Sequence, residues 1–91
     1  MRFYEECVRV AESVGALMSD EQRTCFTKCE VNKLGEYQWT LGMWIHNHLL
    51  PHNTYLHGAL IILGYVTPDE MSRYLIAFAQ QYWKLKCAEM L

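Results

Sequence analysis

Near the start of the chain, apolar residues recur at three- and four-residue intervals. Phe3, Cys7, Val10, Ala11, Val14, Leu17 and Met18 fall on one side of a helix, with Glu5, Arg9 and Glu12 opposite. Glu5 and Arg9 stand in the favourable order for an i,i+4 pair, and Gly15 predicts fraying near the end of this helix. Ser19-Asp20-Glu21-Gln22 then has the pattern of a fresh helix start, a serine cap with a glutamine three residues on. The less polar side of this second segment is only Gln22, Cys25, Phe26 and Cys29, which predicts a short surface helix followed by a connector from Val31 to Gly35.

The third segment carries two stripes instead of one. Tyr37, Leu41, Trp44 and His48 form the first, and Trp39, Met43, His46 and Leu50 lie nearly opposite. A helix apolar on both sides is buried at the centre of a bundle or lies between the bundle and a partner, and Trp44 is expected in the core. Pro51 ends this helix, because proline lacks an amide donor and disfavours helical geometry in the residue before it. Asn53 is placed to cap a short fourth helix on which Leu56, Ala59, Leu60 and Leu63 align, and Gly64 suits a left-handed end. Thr67-Pro68-Asp69-Glu70 then opens the last helix: a threonine cap, proline at the first helical position and two acids at the positive end of the dipole. Met71, Tyr74, Leu75, Phe78, Tyr82 and Leu85 should face inward, with Arg73, Gln80 and Lys84 toward water. The pattern predicts an all-α fold, a compact bundle of about five helices over approximately 2–17, 20–30, 36–50, 54–63 and 68–88. These form a single helical domain spanning 1–91.

Composition agrees with a folded chain: of 91 residues, 52% are hydrophobic and 20% charged, too apolar for disorder. A formal charge of −2 argues against general nucleic-acid binding, which needs a basic stripe to displace phosphate counterions. Glu5 and Glu6 stand where an export signal needs cations and an apolar run. The longest apolar stretch, Ala59 to Val66, is broken by Gly64 and falls far short of the ~20 residues that span a bilayer. A soluble, cytoplasmic protein is expected, with Cys7, Cys25, Cys29 and Cys87 as reduced thiols.

The candidate chemistry is sparse. His46, His48, His52 and His57 crowd together, and with Cys25 and Cys29 they invite a zinc reading. Against it, His46 and His48 project about 200° apart on one helix, and Pro51 interrupts the i,i+4 relation of His48 to His52. No metal and no cofactor is expected. Phosphate loops, nucleophile elbows and paired carboxylates are missing too, so no catalytic residue is assigned and the chain is read as a non-enzyme. From Tyr37 to Val66 there is no Lys, Arg, Asp or Glu, which denies a helix-turn-helix reading its contacts to guanine and phosphate. The same stretch has the composition of an interface core, poor in charge and rich in aromatics and Met.

Two strings, Leu41-Gly42-Met43-Trp44-Ile45-His46-Asn47 and Leu63-Gly64-Tyr65-Val66-Thr67-Pro68-Asp69-Glu70-Met71-Ser72, resemble a family of short bacterial proteins of unknown function. Its members carry an L-G-x-W-I-R-N helix followed some twenty residues later by a T/H-P-D-[DE]-M-S helix start. The resemblance covers roughly Leu41 to Tyr82, with His46 standing where the family pattern has Arg. It implies the helical layout and an origin among accessory genes of bacteria and their mobile elements, and it brings no activity or ligand with it.

The functional expectation is a non-enzymatic protein-binding module of bacterial or phage origin, acting through an uncharged, aromatic-rich surface made of Trp39, Met43, His46 and Leu50. Its partner is a protein, or a second copy of the chain in a homodimer, and an inhibitor or immunity-type role, such as anti-defence, falls within this reading. The alternative is a small regulatory nucleic-acid-binding protein using the Arg73, Lys84 and Lys86 side of the last helix.

Overall fold

The computed structural model describes residues 2–89, apart from the side chains of Val31 and Glu89, and the regular structure among the described residues is all helical, with no strand. The helices are α1 (Arg2–Ala16), α2 (Asp20–Lys28), a 3-10 helix over Val31–Trp39, α3 (Leu41–Trp44), a π turn over Ile45–Leu49, a 3-10 turn over Leu50–His52, α4 (Thr54–Ile62) and α5 (Pro68–Glu89). The all-α bundle is the one the pattern predicts, and the helix starts fall where the capping residues put them. The Ser19 side chain accepts from the Gln22 amide while the Gln22 side chain accepts from the Ser19 amide, a reciprocal capping box. Asn53 Oδ1 accepts from the Leu56 amide at 3.0 Å.

Helix α4 ends in a left-handed residue, Gly64 at φ 103°, with the Tyr65 amide returning to the Leu60 carbonyl and the Gly64 amide to that of Ile61. At the start of α5, Thr67 Oγ1 accepts from the Glu70 amide, and the Glu70 carboxylate reaches back to the Val66 amide. Thr67→Ala is therefore expected to cost about 1 kcal/mol, the usual loss for a cap, read as a lower urea midpoint with an unchanged slope. An unchanged midpoint would show that water replaces the hydroxyl without loss.

The third helix departs from expectation. The chain from Val31 to His52 is not one α-helix but a succession of 3-10, α, π and 3-10 pieces, and the expected connector is itself helical. Its buried and half-buried residues show why. Leu34 and Tyr37 are three apart, Leu41 and Ile45 four apart, and Ile45 and Leu50 five apart, matching in turn the 3-10, α and π repeats. The Leu50 amide bonds to the Ile45 carbonyl, the i→i+5 bond that defines the π turn. Varying the winding keeps one apolar side on the core over a stretch where a constant 3.6-residue repeat would have turned Leu50 outward.

The centre of the bundle is α5. One of its sides lies on α1, where the Phe3 and Tyr74 rings and the Tyr4 and Phe78 rings meet at 6.1 and 5.8 Å. Its other side buries Ser72, Ile76 and Gln80 against α2, the first 3-10 helix and α3. Ser72 Oγ donates to the Gly42 carbonyl, and Gly42 is buried so closely against Gln38 that a Cβ would meet that side chain at 2.8 Å. Two expectations for α5 are corrected by this two-sided burial. Gln80, expected in water, is fully buried, and Leu85, expected inside, is exposed beyond the end of the contact with α1.

Gly15 is also reassigned. It lies one residue before the end of α1 at Ala16, as expected, but its role is not that of a mere weak point. It is instead the flat place on which the Trp83 ring of α5 rests: a Cβ there would lie under 3.0 Å from three ring atoms. Trp83 Nε1 donates to the Ala11 carbonyl at 2.8 Å, and the Arg23 guanidinium covers the ring at 5.3 Å while its Nη1 donates to the Gly15 carbonyl. A second Arg23 nitrogen pairs with Asp20, so the start of α2 is tied to the end of α1.

Candidate functional site

The change of winding decides which of the four stripe residues can meet a partner. Trp39 ends the first 3-10 helix with 83% of its surface exposed, and Met43, one turn on in α3, is 48% exposed. His46 is exposed at the start of the π turn. Leu50 is not part of that surface. At 5% exposure it belongs to the core, brought inward by the extra residue of the π turn, and this corrects its expected place among the binding residues. On the opposite stripe Leu41 is buried and Tyr37 and Trp44 are half-buried against the core. His48 is exposed and stacks on the Trp44 ring at 5.4 Å, with its Nδ1 3.2 Å from the Trp44 carbonyl.

Periodicity does not reveal a second group of exposed apolar residues. Ile61, Ile62 and Leu63 at the end of α4, and Val66 before α5, are all exposed. Leu63, expected on the inward face, is thereby corrected, because α4 buries only Leu56 and Leu60. The sequence does carry a signal for this group, since three consecutive large aliphatic residues on a helix cannot all face one neighbour. The two exposed groups lie at the same end of the bundle: Gln38, next to Trp39, donates to the Asp69 carbonyl at the start of α5, three residues beyond Val66.

The histidines are distributed differently from expectation. Because the chain stays helical through Pro51, His48 and His52 line one cleft of about 220 Å³ against α1, together with Glu6, Arg9, Ser13 and Asn53. Asn53 Nδ2 donates to Glu6 at 2.8 Å, and Arg9 lies 3.6 Å from the same carboxylate, so Glu6 is held by neighbours. Among the described residues no three His, Cys, Asp or Glu side chains converge in a way that could hold a metal ion. The four thiols are unpaired. Burial pushes the Cys7 thiol up to about 11, with the Glu6 charge adding, which keeps it protonated and unreactive at neutral pH.

Between α2 and the first 3-10 helix a wider groove of about 530 Å³ is walled by Leu17, Met18, Cys25, Tyr37 and Leu41, with Glu21 and Gln22 at its edge. Of the cations considered for nucleic acid, Arg73 and Lys84 are exposed roughly three turns apart on α5, and Lys86 lies 5.5 Å from the Tyr82 ring. They do not form one basic patch. No helix among the described residues is long and apolar enough to cross a membrane.

Fold and surface define a small helical-bundle protein that leaves Trp39, Met43 and an aliphatic corner after α4 exposed. Residues 5–84 match the family described as Domain of unknown function (DUF6794), and the chain belongs to that family. The matched span contains both strings on which the resemblance to a family of unknown function rests, and membership assigns no activity. No curated protein and no solved structure matches the chain.

Proposed function

We propose that the protein is a non-enzymatic binding module whose contact surface is drawn from the charge-free stretch Tyr37 to Val66 and centred on Trp39 and Met43. The observation that carries this reading is the 83% exposure of Trp39 beside a half-exposed Met43, within a stretch that has no charged residue. A tryptophan left in water by the fold contributes little to stability there, whereas on a partner it is among the residues that most often dominate binding. An inhibitor or immunity-type role of bacterial or phage origin, acting by covering a partner's surface, falls within this reading.

The test is affinity capture from cells of the encoding organism with wild type and with Trp39→Lys, circular dichroism serving as the folding control. A protein retained by wild type and depleted roughly tenfold or more with the variant is the expected result. Equal retention by both, or nothing specific retained by wild type, would overturn the reading.

A further inference from the structure

The corner between α4 and α5 combines a projection and a hollow on the same face. Ile62 projects with 86% of its surface exposed, flanked by Ile61, Leu63 and Val66. Beside it is a groove of about 420 Å³ walled by Gly64, Tyr65, Tyr74 and Ala77, with Glu70 and Arg73 at its margin. Arg73 and Ala77 also line a neighbouring hollow of about 380 Å³ with Gly35 and Gln38, so the two hollows adjoin. Asp69 and Arg73 sit four residues apart on α5, and neither side chain has a hydrogen-bond or ion-pair partner among the described residues.

We propose that this face pairs with a second copy of the chain about a twofold axis, Ile62 of each copy entering the groove beside Tyr65 and Tyr74 of the other. The proposal rests on the protein-binding reading and names the occupant of a separate part of the surface. A twofold contact needs one patch that complements itself, and a projection next to a hollow of matching character meets that need. The charges agree. Apposition of two such faces brings the unpaired Arg73 of one copy toward the unpaired Asp69 of the other, while the apolar centre, drawn from the charge-free stretch, carries nothing that repels its own image. An anionic lipid surface suits the patch poorly, since Asp69 and Glu70 stand at its margin.

Sedimentation equilibrium or light scattering through the micromolar range decides the matter. Wild type should reach the dimer mass. Ile62→Lys and Val66→Lys, both at exposed positions and thus expected to keep the wild-type circular dichroism spectrum, should move the monomer–dimer midpoint up by roughly tenfold or more. Leu85→Lys, equally exposed but toward the far end of α5, should behave as wild type. A wild type that stays monomeric throughout, dimers that persist in folded Ile62→Lys and Val66→Lys, or equal loss with Leu85→Lys would each overturn the proposal. Because the capture experiment above depends on Trp39, a monomeric wild type that still retains a protein through Trp39 overturns self-pairing alone. A monomer that retains nothing overturns both.

Discussion

Replacing Trp83 by alanine should lower stability by about 3 kcal/mol, the lower end of the range for a buried aromatic because one edge of the ring meets solvent. Three contacts go at once: packing on Gly15, the indole hydrogen bond to the Ala11 carbonyl and the cover provided by Arg23. In a domain of this size such a loss lowers the melting midpoint by roughly 10–20 °C. Gly15→Ala tests the same contact from the other side. With no room for a Cβ, the ring must swing off α1, and about 2–3 kcal/mol should be lost despite the better helix propensity of alanine. The two changes share one contact, so the double variant should be clearly less destabilised than the sum of the singles. Additive losses in urea titrations would show that Gly15 and Trp83 act independently.

Gln80→Ala is the second large effect, expected at about 2–3 kcal/mol. The Gln80 amide nitrogen donates to the carbonyls of Phe26 and Cys29 at 3.0 and 2.6 Å, satisfying the C-terminal end of α2 from inside the core. Alanine leaves the Cys29 carbonyl without a donor, leaves the Phe26 carbonyl only the Cys29 amide, and opens a cavity. The amide oxygen of Gln80 is buried with no partner, so the native arrangement already carries a desolvation cost. Gln80→Met loses the same donor but keeps the volume and removes that oxygen, so it should cost less than alanine, about 1–2 kcal/mol. If methionine is as damaging as alanine, the hydrogen bonds to α2 outweigh packing; if both are neutral, the C-terminus of α2 is held by other contacts.

Trp83 and Gln80 also mark the limit of what local pattern carries. Ser19, Asn53, Gly64 and Thr67 act within a few residues of themselves, and their pattern locates the helix ends correctly. Gln80 and Trp83 act across the fold, on carbonyls 51 to 72 positions away in sequence, and no local periodicity distinguishes a glutamine that reaches a distant helix end from one that faces water. Gly15 has the local signature of a weak point in a helix because its purpose lies in α5.

The surface proposed for binding divides in the same way. The absence of charge from Tyr37 to Val66 is a property of the sequence, and it is enough to single out this part of the chain. Trp39 and Met43 remain outside as expected, but Leu50 is inside, and Ile61, Ile62, Leu63 and Val66 are outside. Sequence by itself determined the all-α class, the helix starts and the uncharged stretch, because capping, proline geometry and charge act over one turn or are simply counted. Tertiary structure decided the winding from Val31 to His52, the central place of α5 and the exposed corner after α4. Over a few residues the 3-10, α and π turns are all accessible to the chain, so the packing of Leu34, Leu41, Ile45 and Leu50 on one core selects among them, and that selection sets which apolar side chains are left for a partner.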